Sequence, residues 1–158
     1  ASLTGWPSAR REEREAHAEA ARLLDFVGLA ARAHHAAGSL PYGLQRRLEL
    51  TRALATHPRL LLLDEPAAGL NPQETSELTA LIGRIAALGI TVLLIEHHMD
   101  LVMAVSDHVV VLDHGVKIAE GAPTEVQRNP LVIAAYLGVD DDDDEQVETN
   151  AVIGSTAC

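Results

Sequence analysis

Apolar residues change their spacing about a third of the way along the chain. Residues 8–32, "SARREEREAHAEAARLLDFVGLAAR", are rich in Ala, Glu and Arg and predict a helix with Ser8 as its cap. Its apolar side is concentrated late, at Leu23, Leu24, Phe26, Val27 and Leu29. A loop around Gly38 and Ser39 follows. A second helix over about 42–56 carries Leu44, Leu48, Thr51 and Leu54 and stops before Pro58. Beyond Pro58, short apolar runs alternate with helical stretches. A strand at 59–64 leads to a helix from Pro72 to Leu88, with Asn71 as N-cap, Pro72 at the first helical position and Glu74 closing a capping box. Leu78, Leu81, Ile82, Ile85 and Leu88 keep helical spacing, and Gly89 suits the C-terminal cap. A strand "TVLLI" at 91–95 leads into a short helix, "EHHMDLVMAVS". "HVVVLDHGVKIAEG" predicts a hairpin turning near His114 and Gly115, and short helices at about 123–128 and 130–137 follow. Apolar strands alternating with helices predict an α/β fold, a parallel sheet covered by helices.

Composition refines this picture. The 158 residues, 47% of them hydrophobic, suffice for one cored domain. No apolar run approaches the roughly 18 residues that span a bilayer. The start, "ASLTGWPSARREERE", lacks the layout of a secretory signal and an initiator methionine, so the chain reads as processed or cut from something longer. The single cysteine, Cys158, allows no disulfide within the chain and fits no prenylation box. Of the net charge of −11, a large share sits in Asp140, Asp141, Asp142, Asp143, Asp144, Glu145 and Glu148, leaving the rest mildly acidic. No basic face suggests a nucleic-acid partner. The like-charge run and weak patterning of residues 139–158 predict a disordered acidic tail, without the spaced ligands and glycine of a calcium loop.

The chemistry begins at "LLLLDEPAAGLNP", residues 60–72, where a strand read as buried ends in Asp64 and Glu65. In parallel sheets ligands bind beyond the carboxyl ends of the strands. Asp64 is placed to hold Mg²⁺ and Glu65 to polarise a water attacking a γ-phosphate; an ordinary ion pair or helix cap is the plainer alternative. The next parallel strand ends in Glu96, His97 and His98, where a histidine can hydrogen-bond a γ-phosphate oxygen and hold the water in line. His17, His34, His35, His57, His108 and His114 have no such context and read as structural.

These residues resemble the nucleotide-binding subunit of ATP-binding-cassette (ABC) transporters over about residues 20–137. "LLLLDEP" is similar to the family's Walker B motif, which implies Asp64 as magnesium carboxylate and Glu65 as catalytic base. "AAGLNP" resembles the D-loop, with Asn71 where many members have aspartate. "IEHHM" resembles the switch-histidine loop, which makes His97 the switch residue and puts His98 at a common aspartate position. "LPYGLQRRLELTRAL", 40–54, resembles the signature segment LSGGQ and its helix, so that Leu40, Pro41, Tyr42 and Gly43 stand at the positions that grip ATP bound to an opposite subunit. Pro41 replaces the serine, Tyr42 the first glycine and Leu44 the glutamine. Pro41 either removes a hydroxyl and an N–H or merely starts the helix. The tyrosine before Gly43, "AAGLNP" and "NPLVIAAYLG" resemble the branched-chain amino-acid importer branch.

The resemblance implies an α/β fold, the C-terminal part of a P-loop NTPase-like cassette with a parallel sheet core and a helical signature subdomain. It places a partial ATPase domain at 1–138, with the signature region at about 8–57 and Walker B onward at about 58–138, before the tail at 139–158. It further implies ATP and Mg²⁺ as cofactors, a second ABC ATPase subunit and transmembrane permease subunits as partners, and a peripheral location on the cytoplasmic face of the membrane. The phosphate-binding loop G-x-x-x-x-G-K-[ST] is not found: the only lysine, Lys117, follows Val116. The chain is therefore expected to be an ATPase fragment of an importer, inactive alone. The alternative expectation is a non-catalytic, cassette-like interaction module.

Overall fold

The computed structural model describes residues 7–137 and 150–155. The chain divides after Pro58 into two units, each with its own arrangement.

In the first unit, helix α1 (Pro7–Phe26) stops six residues short of the expected end at 32 and already includes Ser8, the expected cap. The stop signal is Gly28, whose φ of +77° is a left-handed conformation that costs glycine little. Gly28 N–H donates to Asp25 O and Leu29 N–H to Leu24 O, the paired bonds of a Schellman motif. The chain then makes 3₁₀ turns at Ala30–Arg32 and Ala37–Ser39 before helix α2 (Tyr42–Leu54). Leu50 and Leu54 of α2 are buried, as are Val27, Leu29 and Leu40 ahead of it.

The second unit runs β1 (Leu60–Asp64), α3 (Pro72–Ala86), β2 (Thr91–Glu96), α4 (Met99–Val105), β3 (His108–Asp113), β4 (Val116–Gly121), α5 (Pro123–Val126), α6 (Pro130–Leu137) and β5 (Asn150–Ser155). The sheet order is β1-β2-β5-β3-β4. β1 and β2 are parallel; β5 is antiparallel to both β2 and β3, so β1, β2 and β3 share one direction. The β3–β4 hairpin turns through His114 and Gly115, both at positive φ, which suits the right-handed twist of paired strands.

Two expectations need correction here. β1, at the end of the described sheet, is buried on one face only: Leu61 and Leu63 are buried, but Leu60 is 49% and Leu62 64% exposed. Residues 150–155 of the tail expected to be disordered form β5, whose backbone pairs with β2 on one side and β3 on the other. The acidic run of that tail lies outside the described residues.

Alternation along the strands places Leu61, Leu63, Val92, Leu94, Val109 and Val111 in the core. Leu78, Leu81, Ile82 and Ile85 of α3 are buried at helical spacing, while Leu88 lies past the helix end and is exposed. The capping box at the start of α3 forms as expected. Asn71 Oδ1 accepts from Glu74 N–H at 2.9 Å and Glu74 Oε2 accepts from Asn71 N–H at 3.0 Å. Replacing Asn71 by Ala should cost about 1 kcal/mol in denaturant titrations of the chain, and Asn71→Asp should cost almost nothing.

Candidate functional site

Register brings the carboxylates and the histidines to one edge. Asp64 pairs with Ile95, and Glu65 N–H continues the ladder by donating to Ile95 O at 2.9 Å. The ends of β1 and β2 are thus level, and the two loops that follow leave the sheet side by side. Glu65 has a φ of +42°, a left-handed conformation that costs a side-chain-bearing residue about 1–2 kcal/mol. Backbone strain of this kind concentrates at functional sites. The loop beyond it turns through Gly69 at φ +75°, with Ala68 N–H on Glu65 O and Leu70 N–H on Ala67 O.

Glu65 Oε1 lies 3.8 Å from His97 Nδ1, and both side chains are partly open to solvent. Asp64, the preceding residue, is exposed, and no described residue pairs with its carboxylate. Oxygen ligands without a competing cation suit a hard ion such as Mg²⁺. Asn71 stands further along the same loop, its side chain engaged in the α3 cap. An open cleft of about 770 Å³ borders His97, His98, Thr75, Ser76 and Tyr136.

Beneath these groups sits Glu96, which is fully buried. Its Oε1 accepts from Ala67 N–H at 2.8 Å, in the loop after β1. Its Oε2 accepts from His97 N–H at 3.1 Å and His98 N–H at 3.3 Å, and lies 3.0 Å from His98 Nδ1. One carboxylate therefore fastens both loops. From α6, Tyr136 Oη donates to His97 O at 3.1 Å and so also holds the loop after β2.

The inward position of Glu96 was implicit in the strand alternation, because Val92, Leu94 and Glu96 share a face. The sequence places Glu96 beside the histidines but gives no reason for a carboxylate there. Ala67 and Tyr136 carry no signal of their own, since their partners are 29 and 39 residues distant.

The signature-like residues belong to the first unit. Pro41 is the N-cap of α2 and accepts from Leu44 and Gln45 N–H; Gln45 Nε2 donates to Leu40 O at 2.8 Å. Gly43 is buried in the first turn, and Tyr42 is 46% exposed beneath the Arg46 guanidinium, 5.1 Å from the ring centre. Pro41 thus starts the helix without offering a side-chain cap. The Tyr42 and Gly43 amides, which precede those of Leu44 and Gln45, have no intrahelical acceptor, as at any helix start.

Burial pushes the Glu96 carboxyl up, but the His98 ring, the Ala67 and His98 N–H groups and the charge on His98 outweigh it and hold it below its ordinary value of 4.5. A depressed carboxyl stabilises the fold fully above that ordinary value and loses the contribution as pH falls through the lower folded value. Glu96→Gln should therefore flatten the loss of stability below pH 4.5 in acid titrations followed by circular dichroism. Glu96→Ala, which strands buried N–H groups, should cost about 2–3 kcal/mol at neutral pH.

Comparison with known proteins matches this geometry. A family described as "ABC transporter" matches residues 3–68, and one described as "Branched-chain amino acid ATP-binding cassette transporter" matches residues 116–142. The chain is 53% identical over 139 residues to the high-affinity branched-chain amino acid transport ATP-binding protein BraF of Pseudomonas aeruginosa, covering 87% of this chain and 54% of BraF. It is 50% identical over 133 residues to LivG of Escherichia coli, a protein of the same description, covering 84% of this chain and 52% of LivG. Among solved structures, the ADP conformation of MJ1267, an ATP-binding cassette of an ABC transporter, superposes with a TM-score of 0.72 at 34% identity, over 78% of this chain and 50% of that one. CbiO1 of Clostridium perfringens, part of the ABC transporter complex cbiONQ, gives 0.69 at 27% identity, over 87% and 53%. The chain spans about half the length of the relatives it matches. With those matches and the level ends of β1 and β2, the chain belongs to the ABC transporter ATP-binding family.

Proposed function

We propose that this chain supplies the water-activating and phosphate-sensing side of an ATPase that powers import of branched-chain amino acids. The observation that carries this reading is the approach of Glu65 to His97, 3.8 Å apart at the level ends of two parallel strands. Bound Mg²⁺·ATP would supply the γ-phosphoryl group and a cation that neutralises its developing charge. Asp64, exposed and without a described partner, is the residue for that cation, reached directly or through water. Glu65 accepts a proton from the attacking water, and its strained backbone fixes where the carboxylate stands. His97 keeps Nδ1 toward the carboxylates, and Nε2 is the ring nitrogen left for a phosphate oxygen, to which it donates when it carries a proton. Glu96 touches no reacting atom; it positions His97 and the loop after Glu65 relative to one another.

In the same reading, Leu40, Pro41, Tyr42 and Gly43 present the start of α2 to ATP held by a second ABC ATPase subunit, and Asn71 lies in the loop that faces that subunit. Transmembrane permease subunits complete the importer and hold the ATPase peripherally at the cytoplasmic membrane face. No described helix is long and apolar enough to cross a membrane. The names of BraF and LivG support branched-chain amino acids as the cargo.

In a full-length protein that includes this chain and a phosphate-binding loop, Glu65→Gln should retain ATP binding and lower turnover by roughly a hundredfold or more. Turnover within twofold of the parent would reject Glu65 as the base. The 158-residue chain alone should show no ATP turnover above a buffer blank, because it has no Gly-Lys pair to cradle the phosphates. Robust hydrolysis by it would overturn that division of labour.

A further inference from the structure

The same corner of the protein has the donors of a transition-metal site. Glu96, His97 and His98 each offer a ligand atom, and these atoms lie within 4.8 Å of one another. Glu96 Oε2 is 3.0 Å from His98 Nδ1 and 3.9 Å from His97 Nδ1, and Glu65 Oε1 is 3.8 Å from His97 Nδ1. A tetrahedral ion with bonds of about 2.0–2.1 Å separates neighbouring donors by roughly 3.3–3.4 Å. Each of the three distances is within about 0.6 Å of that spacing. The two rings are already near neighbours, with centroids 4.4 Å apart and a tilt of 32°. Both side chains are nearly half exposed, so small ring rotations meet little resistance.

The frame around the donors is rigid. Glu96 is fully buried and fixed by the Ala67, His97 and His98 amides, and Tyr136 fixes the backbone between the rings. His98 is the N-cap residue of α4, yet its side chain makes no cap bond and stays on the carboxylate side. Two imidazoles with carboxylates match a borderline ion such as Zn²⁺, whereas Mg²⁺ prefers a shell of oxygens and water.

We propose that Glu96, His97 and His98 bind one zinc-class divalent ion, with water completing its coordination. The ion takes the place of the hydrogen between Glu96 Oε2 and His98 Nδ1, and His98 then carries its proton on Nε2. Because the ion engages His97 beside Glu65, it also withdraws that histidine from ATP chemistry; that consequence, unlike the binding itself, rests on the function proposed above.

The test is direct binding to the whole 158-residue chain in a Cys158→Ser background, so that the thiol does not compete. Zn²⁺ competition against a chromophoric chelator should give one site per chain. Co²⁺ substitution should give the visible absorption bands of a tetrahedral ion. His97→Ala and His98→Ala should each weaken Zn²⁺ binding by at least tenfold, whereas His108→Ala, at the remote Glu120 pair, should change it less than twofold. Equal affinity in all three variants, or no stoichiometric binding by the parent, overturns the site. In a full-length ATPase containing this chain, micromolar Zn²⁺ should inhibit turnover in excess Mg²⁺, and His98→Ala should relieve the inhibition. Stoichiometric binding without inhibition would uphold the metal site and count against the catalytic role of His97.

Discussion

The structure around the candidate site depends on one buried carboxylate. A fully buried charge is unfavourable unless its oxygens are satisfied, and Glu96 meets that condition by accepting from two loops at once. Its hydrogen bond to Ala67 spans the gap from β2 to the loop after β1, and its bonds to His97 and His98 fix the loop it belongs to. The position of Glu65 relative to His97 therefore follows from a buried third group. Removing Glu96 would leave both side chains present while loosening the constraint that sets them 3.8 Å apart.

The same constraint explains why strain is tolerated one residue beyond β1. Glu65 adopts a left-handed conformation while its amide still completes a ladder bond to Ile95. With Ala67 held by Glu96 two residues later, the chain is pinned on both sides of the turn. A carboxylate on so short and fixed a lever has few accessible orientations. That suits chemistry consisting mostly of positioning and electrostatics. Packing below the edge supplies the platform: the inward residues of β1 and β2 are buried, and α3 buries a helical apolar stripe started by the Asn71 cap.

Much of this was legible locally. The α3 capping box, the hairpin turn at His114 and Gly115, and the strand ending in Asp64 depend on neighbours within a few residues. Departures from the expected picture came where a local signal was outweighed or had none to give. The helix read through to 32 ends at Phe26 because Gly28 closes a Schellman motif, a signal present in the chain but set against a favourable composition on both sides. β1 was expected to be buried because it is all leucine before Asp64; its residues alternate between two faces, and only the face of Leu61 and Leu63 is buried while Leu60 and Leu62 stay open. The strand β5 could not be anticipated from "NAVIGS", because the backbone it pairs with, on β2 and β3, lies far away in sequence.

The sequence by itself determined which candidate groups the chain carries: which carboxylates, which histidines, in which order, and at the ends of which apolar runs. Those follow from residue identity and short-range periodicity, which a linear chain states outright. Tertiary structure alone decided that β1 and β2 end level, that Glu65 faces His97, and that Glu96, Ala67 and Tyr136 hold them there. These relations join residues about 30 to 40 positions apart through strand register and buried hydrogen bonds. Register is a property of paired strands, so a linear sequence carries no direct record of it.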